Sequence, residues 1–401
     1  MTYRKFKADY LFTGREMADE DAVLVTTEDG TVQDILPFSR AGEGIEQLKG
    51  ILSPGFINCH CHLELSHLKG MLPERRGLVD FLLAVMQQRN SQPPEWIQAS
   101  MADAEDSMLN NGIVAVGDIC NTTHSLTQKT GGRLYYHNFI ETMGFIEHSA
   151  PDRFENSRKI FDAFAQAYSL PIAANSLVPH APYSVSPRLF GLIANFPGNH
   201  LLTIHNQESG AENDFYRSGQ GDFLRLYQAM GLDTSFFRGT GKRSLESYLP
   251  HFYRNQSLIL VHNVATSEED LQFALNRQPA NGQHAPDLFF CLCPNANLYI
   301  SGELPDIELL IRTNCSIVIG TDSLASNHQL SILEELKTLQ RRWPQLPIPT
   351  LLKWATLNGA EALQLDGVLG SFAPGKQPGI VLIEGLDEDK FSEGSTSRRL
   401  L

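Results

Sequence analysis

Two histidines spaced two apart, His60 and His62, close the apolar run Leu52-Ser-Pro-Gly-Phe-Ile-Asn-Cys-His-Cys-His-Leu-Glu64. On a strand, residues i and i+2 share a face, so the two imidazoles converge while Cys59 and Cys61 point the other way. That is metal-ligand geometry. An isolated His-x-His pair is more often a surface accident, but here three further ligand-type residues follow. His205, His262 and Asp322 each stand just past an apolar run of the same kind, and four such deliveries at the same end favour a metal site over chance.

These side chains need a scaffold that brings distant strand ends together. Eight apolar runs recur, at 55–62, 112–120, 134–141, 172–180, 200–205, 257–262, 287–294 and 315–322, with helical patterns such as 96–110 and 151–168 in the gaps. Runs rich in Val, Ile and Leu without polar alternation predict parallel strands buried on both faces. Eight βα units predict an α/β fold of the (β/α)8 TIM-barrel kind over residues 51–365. Active sites of that fold lie at the C-terminal rim of the strands. The rim reads His60/His62, Asp118, Glu141, His180, His205, His262, Asn295 and Asp322. Residues 1–50 and 366–401 carry short strand and turn patterns too small for a core of their own, and predict one small β-sandwich domain built from both chain ends.

Composition narrows the partner. With 32 basic against 46 acidic residues the net charge is −14, which argues against a nucleic-acid footprint and for a small-molecule partner. Six cysteines in 401 residues, clustered as Cys59/Cys61 and Cys291/Cys293, are no disulfide framework and suit reduced thiols in a cytoplasmic protein. The basic N-terminus lacks a following apolar stretch, and no run approaches the ~18 residues of a membrane span. A homodimer is left open. The long connection from Glu208 to Gln256 includes Phe236-Phe-Arg-Gly-Thr-Gly-Lys-Arg243, which fails as a phosphate-binding loop because Phe236 stands where its first glycine belongs. It is either a substrate-facing lid or an ordinary surface excursion.

Lined up, the motifs Pro54-Gly-Phe-Ile-Asn-Cys-His-Cys-His62, Val178-Pro-His-Ala-Pro-Tyr-Ser-Val-Ser186, Thr203-Ile-His-Asn-Gln-Glu-Ser209, Leu260-Val-His-Asn263, Cys293-Pro-Asn-Ala-Asn297 and Gly320-Thr-Asp-Ser-Leu-Ala-Ser-Asn327 resemble the amidohydrolase superfamily, in its aminohydrolase and chlorohydrolase branch. The resemblance spans nearly the whole chain. It implies that His60, His62, His205 and Asp322 hold one divalent metal, zinc first, with iron(II) or manganese also compatible with three histidines and an aspartate. It further implies that Glu208 is the general acid/base. His262 is a fourth ligand or hydrogen-bonds the catalytic water, and His180 contacts substrate. Many members bridge two metals with a carbamylated lysine at the end of strand four, but this chain has no lysine between Lys159 and Lys242, which points to a single ion. The expected catalytic set is therefore Glu208, His262 and Asp322.

The implied reaction is metal-dependent hydrolysis that releases ammonia from a ring amino group. Within the branch, the motifs are similar to those of S-adenosylhomocysteine deaminases and aminodeoxyfutalosine deaminases, which act on the adenine of a modified nucleoside. Where the former place an acid for the ribose hydroxyls, this chain has Gln87-Gln88-Arg89-Asn90, and Arg89 suits a substrate carboxylate. Glu141 joins Arg89 and His180 as a substrate-binding candidate, and Glu64 is a further rim acid. Guanine or pterin deamination and chlorohydrolysis are the rival reactions; a metal-binding scaffold is the remote alternative. Asn295 and Asn297 are expected to fix the rim backbone. His67, His124, His137, His148, His251 and His284 are expected to be surface or structural, and His328 stands next to the pocket motif.

Overall fold

The computed structural model describes residues 2–167, 173–253, 255–276 and 286–401. The expected start of the fourth run at Ile172, the end of the second helical pattern at Tyr168, and His284 lie outside the described residues.

All eight apolar runs contain strands: β1 Phe56–Cys61, β2 Ile113–Cys120, β3 Tyr135–Thr142, β4 Ala173–Pro179, β5 Leu201–Asn206, β6 Ser257–His262, β7 Asp287–Leu292 and β8 Ser316–Ile319. They form two four-stranded sheets, in the orders β1-β2-β3-β4 and β5-β6-β7-β8, with every neighbouring pair parallel. Parallel pairing needs long crossovers, and helices such as Pro94–Asn110 and Ala150–Ala167 supply them. Backbone bonds join the sheets at the rim on both sides. His205 N donates to His180 O at 2.9 Å, and Asp322 N donates to His60 O at 3.0 Å. Those two seams carry three of the five ligand-type residues, His60, His205 and Asp322.

The register of β1 against β2 shifts between Asn58 and Cys61. Such a bulge re-aims side chains, and His60 lies inside it. Space beneath His60 is tight: a Cβ on Gly320 would stand 2.8 Å from the His60 Cβ and 2.9 Å from the Cys291 Sγ. Only glycine lets the start of the β8–Asp322 segment approach His60 so closely.

The chain ends also make two four-stranded sheets. One runs Val32–Pro37, Ala22–Thr27, Tyr3–Lys7, Ile45–Gln47; the other runs Lys390–Arg399, Ile380–Asp387, Ile51–Pro54, Tyr10–Leu11. Phe6, Leu24, Val32 and Leu52 from the N-terminal side share one buried cluster with Phe372, Ile380 and Leu382 from the C-terminal side. Ile51–Pro54 pairs with Ile380–Ile383 and leads directly into β1, so the strand that delivers His60 is anchored to this end structure.

Candidate active site

Nε2 of His62 lies 3.1 Å from Nε2 of His60 and 3.3 Å from Nε2 of His205. Oδ1 of Asp322 lies 3.4 Å from the first of these histidines' Nε2 partners, on His60, and 3.3 Å from that of His62. Two ligands bound at ~2.0–2.1 Å to one ion at the tetrahedral angle stand roughly 3.4 Å apart, so these separations are those of atoms sharing a common centre. The four side chains are buried. Burial lowers the pKa of His60, His62 and His205, which keeps the rings neutral with lone pairs free. The Nδ1–H of His205 donates to His180 O at 2.8 Å, which aims the Nε2 lone pair at the same centre. Burial would raise the Asp322 carboxyl, but His62, His262 and a 2.5 Å bond from Ser326 Oγ hold it below its ordinary value. The donor set therefore fits one divalent cation.

Backbone strain concentrates at these positions. Gln207, His262, Asn263 and Asp322 all adopt positive φ, at 46°, 76°, 61° and 55°. Non-glycine residues keep such conformations only where their surroundings over-determine them. For Gln207 the surroundings are a buried polar network. Its N–H donates to Glu212 Oε1 at 3.0 Å, its side chain bonds Asn213 and Thr266, and Ser244 closes the network with a short bond to Glu212. Glu208 follows immediately, so this network sets where its carboxyl emerges. Glu212 escaped the motif reading, although its place four residues after Glu208 is a helical repeat.

Oε1 of Glu208 faces Nε2 of His262 at 3.6 Å. Burial, with the nearby charges of Asp322 and Glu212, pushes the Glu208 pKa well up, so the group keeps its proton to a higher pH than an ordinary glutamate. Glu208, His62, His205, His262 and Asp322 open onto one cavity of about 160 Å³. Its outer wall is apolar, with Leu78, Phe81, Val85, Met86, Leu226 and Met230. Arg89, Glu141 and His180 also line it, so all three substrate-binding candidates share the chamber with His62, His205 and Asp322. Arg89 stands at the end of the helix Leu78–Gln88, its carbonyl accepting from His67 Nε2 at 3.0 Å.

Other rim residues serve differently. Asp118 forms a 2.5 Å ion pair with the fully buried Lys129. Glu64 accepts from the backbone of Asn121 and Thr122 and so ties down the loop after β2. His328 is exposed and pairs with Glu74 at 3.4 Å, away from the chamber. The connection after β5 folds into the helices Gly210–Ser218, Phe223–Ala229 and Ser244–Tyr248. Leu226 and Met230 from it reach the cavity wall, whereas none of residues 236–243 does. Phe236 packs instead against Phe145, with ring centres 5.7 Å apart. Asn295 accepts from Thr338 at 2.6 Å, as a rim-fixing residue would, but Asn297 touches His262 directly.

Residues 51–399 match the model of the amidohydrolase family, and the chain belongs to that family. It is similar to an adenosine deaminase of Helicobacter pylori, 28% identical over 326 residues that cover 79% of this chain and 75% of the relative. It is also similar to an aminodeoxyfutalosine deaminase of Nitratiruptor sp., 26% identical over 349 residues, 83% of this chain and 79% of that protein. The crystal structure of Helicobacter pylori aminofutalosine deaminase in complex with methylthio-coformycin superposes with a TM-score of 0.80 at 21% identity, over 97% of this chain and 93% of that one. The fold is accordingly an α/β fold of the TIM-barrel type. Among the described residues no helix is long and apolar enough to cross a membrane.

Proposed function

We propose that this chain is a metal-dependent hydrolytic deaminase that releases ammonia from the adenine of a modified nucleoside. The observation that carries the reading is the placement of Glu208 beside His262, at 3.6 Å, on the same cavity as His62, His205 and Asp322, whose ligand atoms converge with that of His60. The names of the relatives, which are nucleoside deaminases, support it.

In this reading β1 to β8 close into one barrel over 51–365, and residues 1–50 and 366–401 form a separate β-sandwich. His60, His62, His205 and Asp322 hold a single ion, zinc first. A divalent ion held there supplies a water-derived nucleophile near neutral pH. Glu208 carries the proton. Its raised pKa lets it protonate a ring nitrogen as the adjacent carbon is attacked, and, once reprotonated with the proton that Asp322 takes from the water, pass that proton to the departing amine. Asp322 accepts a proton from the attacking water, and His262 orients it. The apolar wall excludes bulk solvent, which strengthens each of these charge interactions.

Arg89 supports a substrate whose 5′ substituent carries a carboxylate. Arg89 lines the cavity and is half-buried, and among the described residues it has no ion-pair partner. A charge-assisted bond there contributes on the order of 1.5–3 kcal/mol, enough for about tenfold selection.

The test is ammonia release by the zinc-loaded chain from adenosine, 5′-methylthioadenosine, S-adenosylhomocysteine and aminodeoxyfutalosine, with guanine, a pterin and a chlorotriazine as controls. Turnover of adenine nucleosides is expected, with a preference for the carboxylate-bearing ones that Arg89→Met abolishes. Activity confined to the controls would overturn the substrate class; an unchanged preference in the variant would remove only the role of Arg89.

A further inference from the structure

Glu141, which lines the cavity, has a carboxylate oxygen that the protein leaves without a donor. Glu141, at the end of β3, is buried, and its two carboxylate oxygens have different fates. Oε2 accepts from Asn121 Nδ2 at 2.7 Å, and the backbone N–H of Asn121 is itself held by Glu64 at 3.1 Å. Oε1 has no hydrogen-bond donor. Nδ1 of His205 lies 3.7 Å away, but that N–H already donates to His180 O at 2.8 Å. A buried carboxylate oxygen without a donor is costly, and a wall of a substrate cavity is where a ligand can supply one.

Position selects which part of a ligand that would be. Nε2 of His205 points to the ligand centre, with Asp322 and His62, whereas Glu141 lies beside Nδ1, on the other edge of the ring. The reacting ring carbon and its amino group belong on the Nε2 side. A nucleoside's remaining donors are its ribose hydroxyls, set one glycosidic bond away from the reacting base. We propose that Glu141 Oε1 accepts a hydrogen bond from a ribose hydroxyl, so that the enzyme selects ribonucleosides over their deoxy counterparts. This rests on the nucleoside reading above and adds the feature of the substrate that Glu141 recognises.

The isosteric variant Glu141→Gln replaces the charged acceptor with a neutral donor, so at most a weaker, uncharged bond to the hydroxyl remains. Asn121 Nδ2 is a donor, so it draws the amide oxygen to the Oε2 position and leaves an NH2 where Oε1 stood. The experiment compares kcat and KM of wild type and Glu141→Gln for the best adenine nucleoside and its 2′-deoxy and 3′-deoxy forms, with metal content measured on each protein. Wild type should favour the ribonucleoside over at least one deoxy form by about tenfold or more, chiefly in KM, the scale of one hydrogen bond to a charged acceptor. The variant should keep its metal and lose that preference to within about threefold. An unchanged ribose preference in the variant would overturn the proposal. So would loss of metal in proportion to activity, because Glu141 would then serve by supporting His205. If wild type turned over no adenine nucleoside, the reading beneath the proposal would fail, an outcome visible before any variant is made.

Discussion

The side-chain amide of Asn297 stands 3.0 Å from Nδ1 of His262, while Nε2 of the same ring faces Glu208 at 3.6 Å. With the amide nitrogen donating, Nδ1 is the lone-pair nitrogen and Nε2 carries the proton. A protonated Nε2 donates toward water, substrate or Glu208, and a metal ligand would need the opposite tautomer. The contact therefore favours hydrogen bonding over ligation as the role of His262. Asn297→Leu should leave one metal per chain and lower kcat by about tenfold, since it strands a buried ring nitrogen at a cost of about 1–3 kcal/mol. Asn297→Asp should also lose activity, because a carboxylate draws the proton to Nδ1. Metal analysis and steady-state kinetics on both variants check this; full activity in Asn297→Leu would return His262 to an unsupported ring.

The ligand set predicts a sharp division between two substitutions. His60→Ala should lose both metal and activity, because it deletes one of the four converging atoms. Glu208→Gln should retain metal and lower turnover by at least ~100-fold, the usual scale for a lost general acid or base. Elemental analysis of the wild type should give one ion, given the lysine-free stretch between Lys159 and Lys242. Two ions per active chain would exclude the mononuclear site.

What the sequence made legible follows the physics of burial. The parallel strands were readable because both faces are covered, so each is a continuous apolar run ending at a polar rim. The last strand, Lys390–Arg399, was not: Lys-Phe-Ser-Glu-Gly-Ser-Thr-Ser-Arg-Arg has almost no apolar residue, and only its backbone pairing with Ile380–Asp387 makes it a strand. Tyr3–Lys7 hid for the same reason, as a basic N-terminus. At the site, motif spacing located His60, His62, His205 and Asp322, whose roles depend on what they reach. It read Asn297 as a rim-fixing residue and not as the partner of His262, and it did not locate Glu212 or Lys129, whose importance shows only once folding brings Ser244 and Asp118 against them. Nor could it place Arg89, since facing the chamber or the solvent depends on how a helix end is turned.

His137 provides a pH signature independent of the metal. It is buried on β3 and bonded through Nε2 to Ser176 Oγ at 2.8 Å, and burial pushes its pKa down from 6.5 to about 3. The unfolded chain thus binds the proton more tightly than the native one. Its contribution to stability is complete above pH 6.5 and is lost progressively as pH falls toward 3. Between pH 7 and pH 5 this single group should remove about 2 kcal/mol. Urea unfolding of wild type and His137→Gln at both pH values isolates it, because the other titrating groups cancel in the difference. Equal pH dependence in the two proteins would show that His137 titrates normally.

The Asp118–Lys129 pair is the last relationship with a measurable consequence, and it lies directly behind the ligand strand. Oδ2 of Asp118 meets Lys129 Nζ at 2.5 Å, and Oδ1 accepts from the backbone N–H of Leu63 at 2.8 Å, one residue past His62. Lys129 is fully buried, bonded to Asn138 Oδ1 at 2.9 Å and set over the rings of Tyr136 and Phe164. Burying two charges costs several kcal/mol each in desolvation, and the pair is tolerable only while both partners are present. Lys129→Met leaves Asp118 unpaired and should destabilise the chain by about 3–5 kcal/mol. Because Asp118 also holds Leu63, the same variant should weaken metal retention through His62. Adding Asp118→Asn removes the stranded charge while its amide oxygen still accepts from Leu63, so the double variant should recover a large part of the lost stability and most of the metal. Denaturant midpoints and metal dissociation under a chelator, measured on the two single variants and the double, give the coupling directly. Purely additive losses would show that the two charges do not depend on each other, and the pair would then have no part in holding His62.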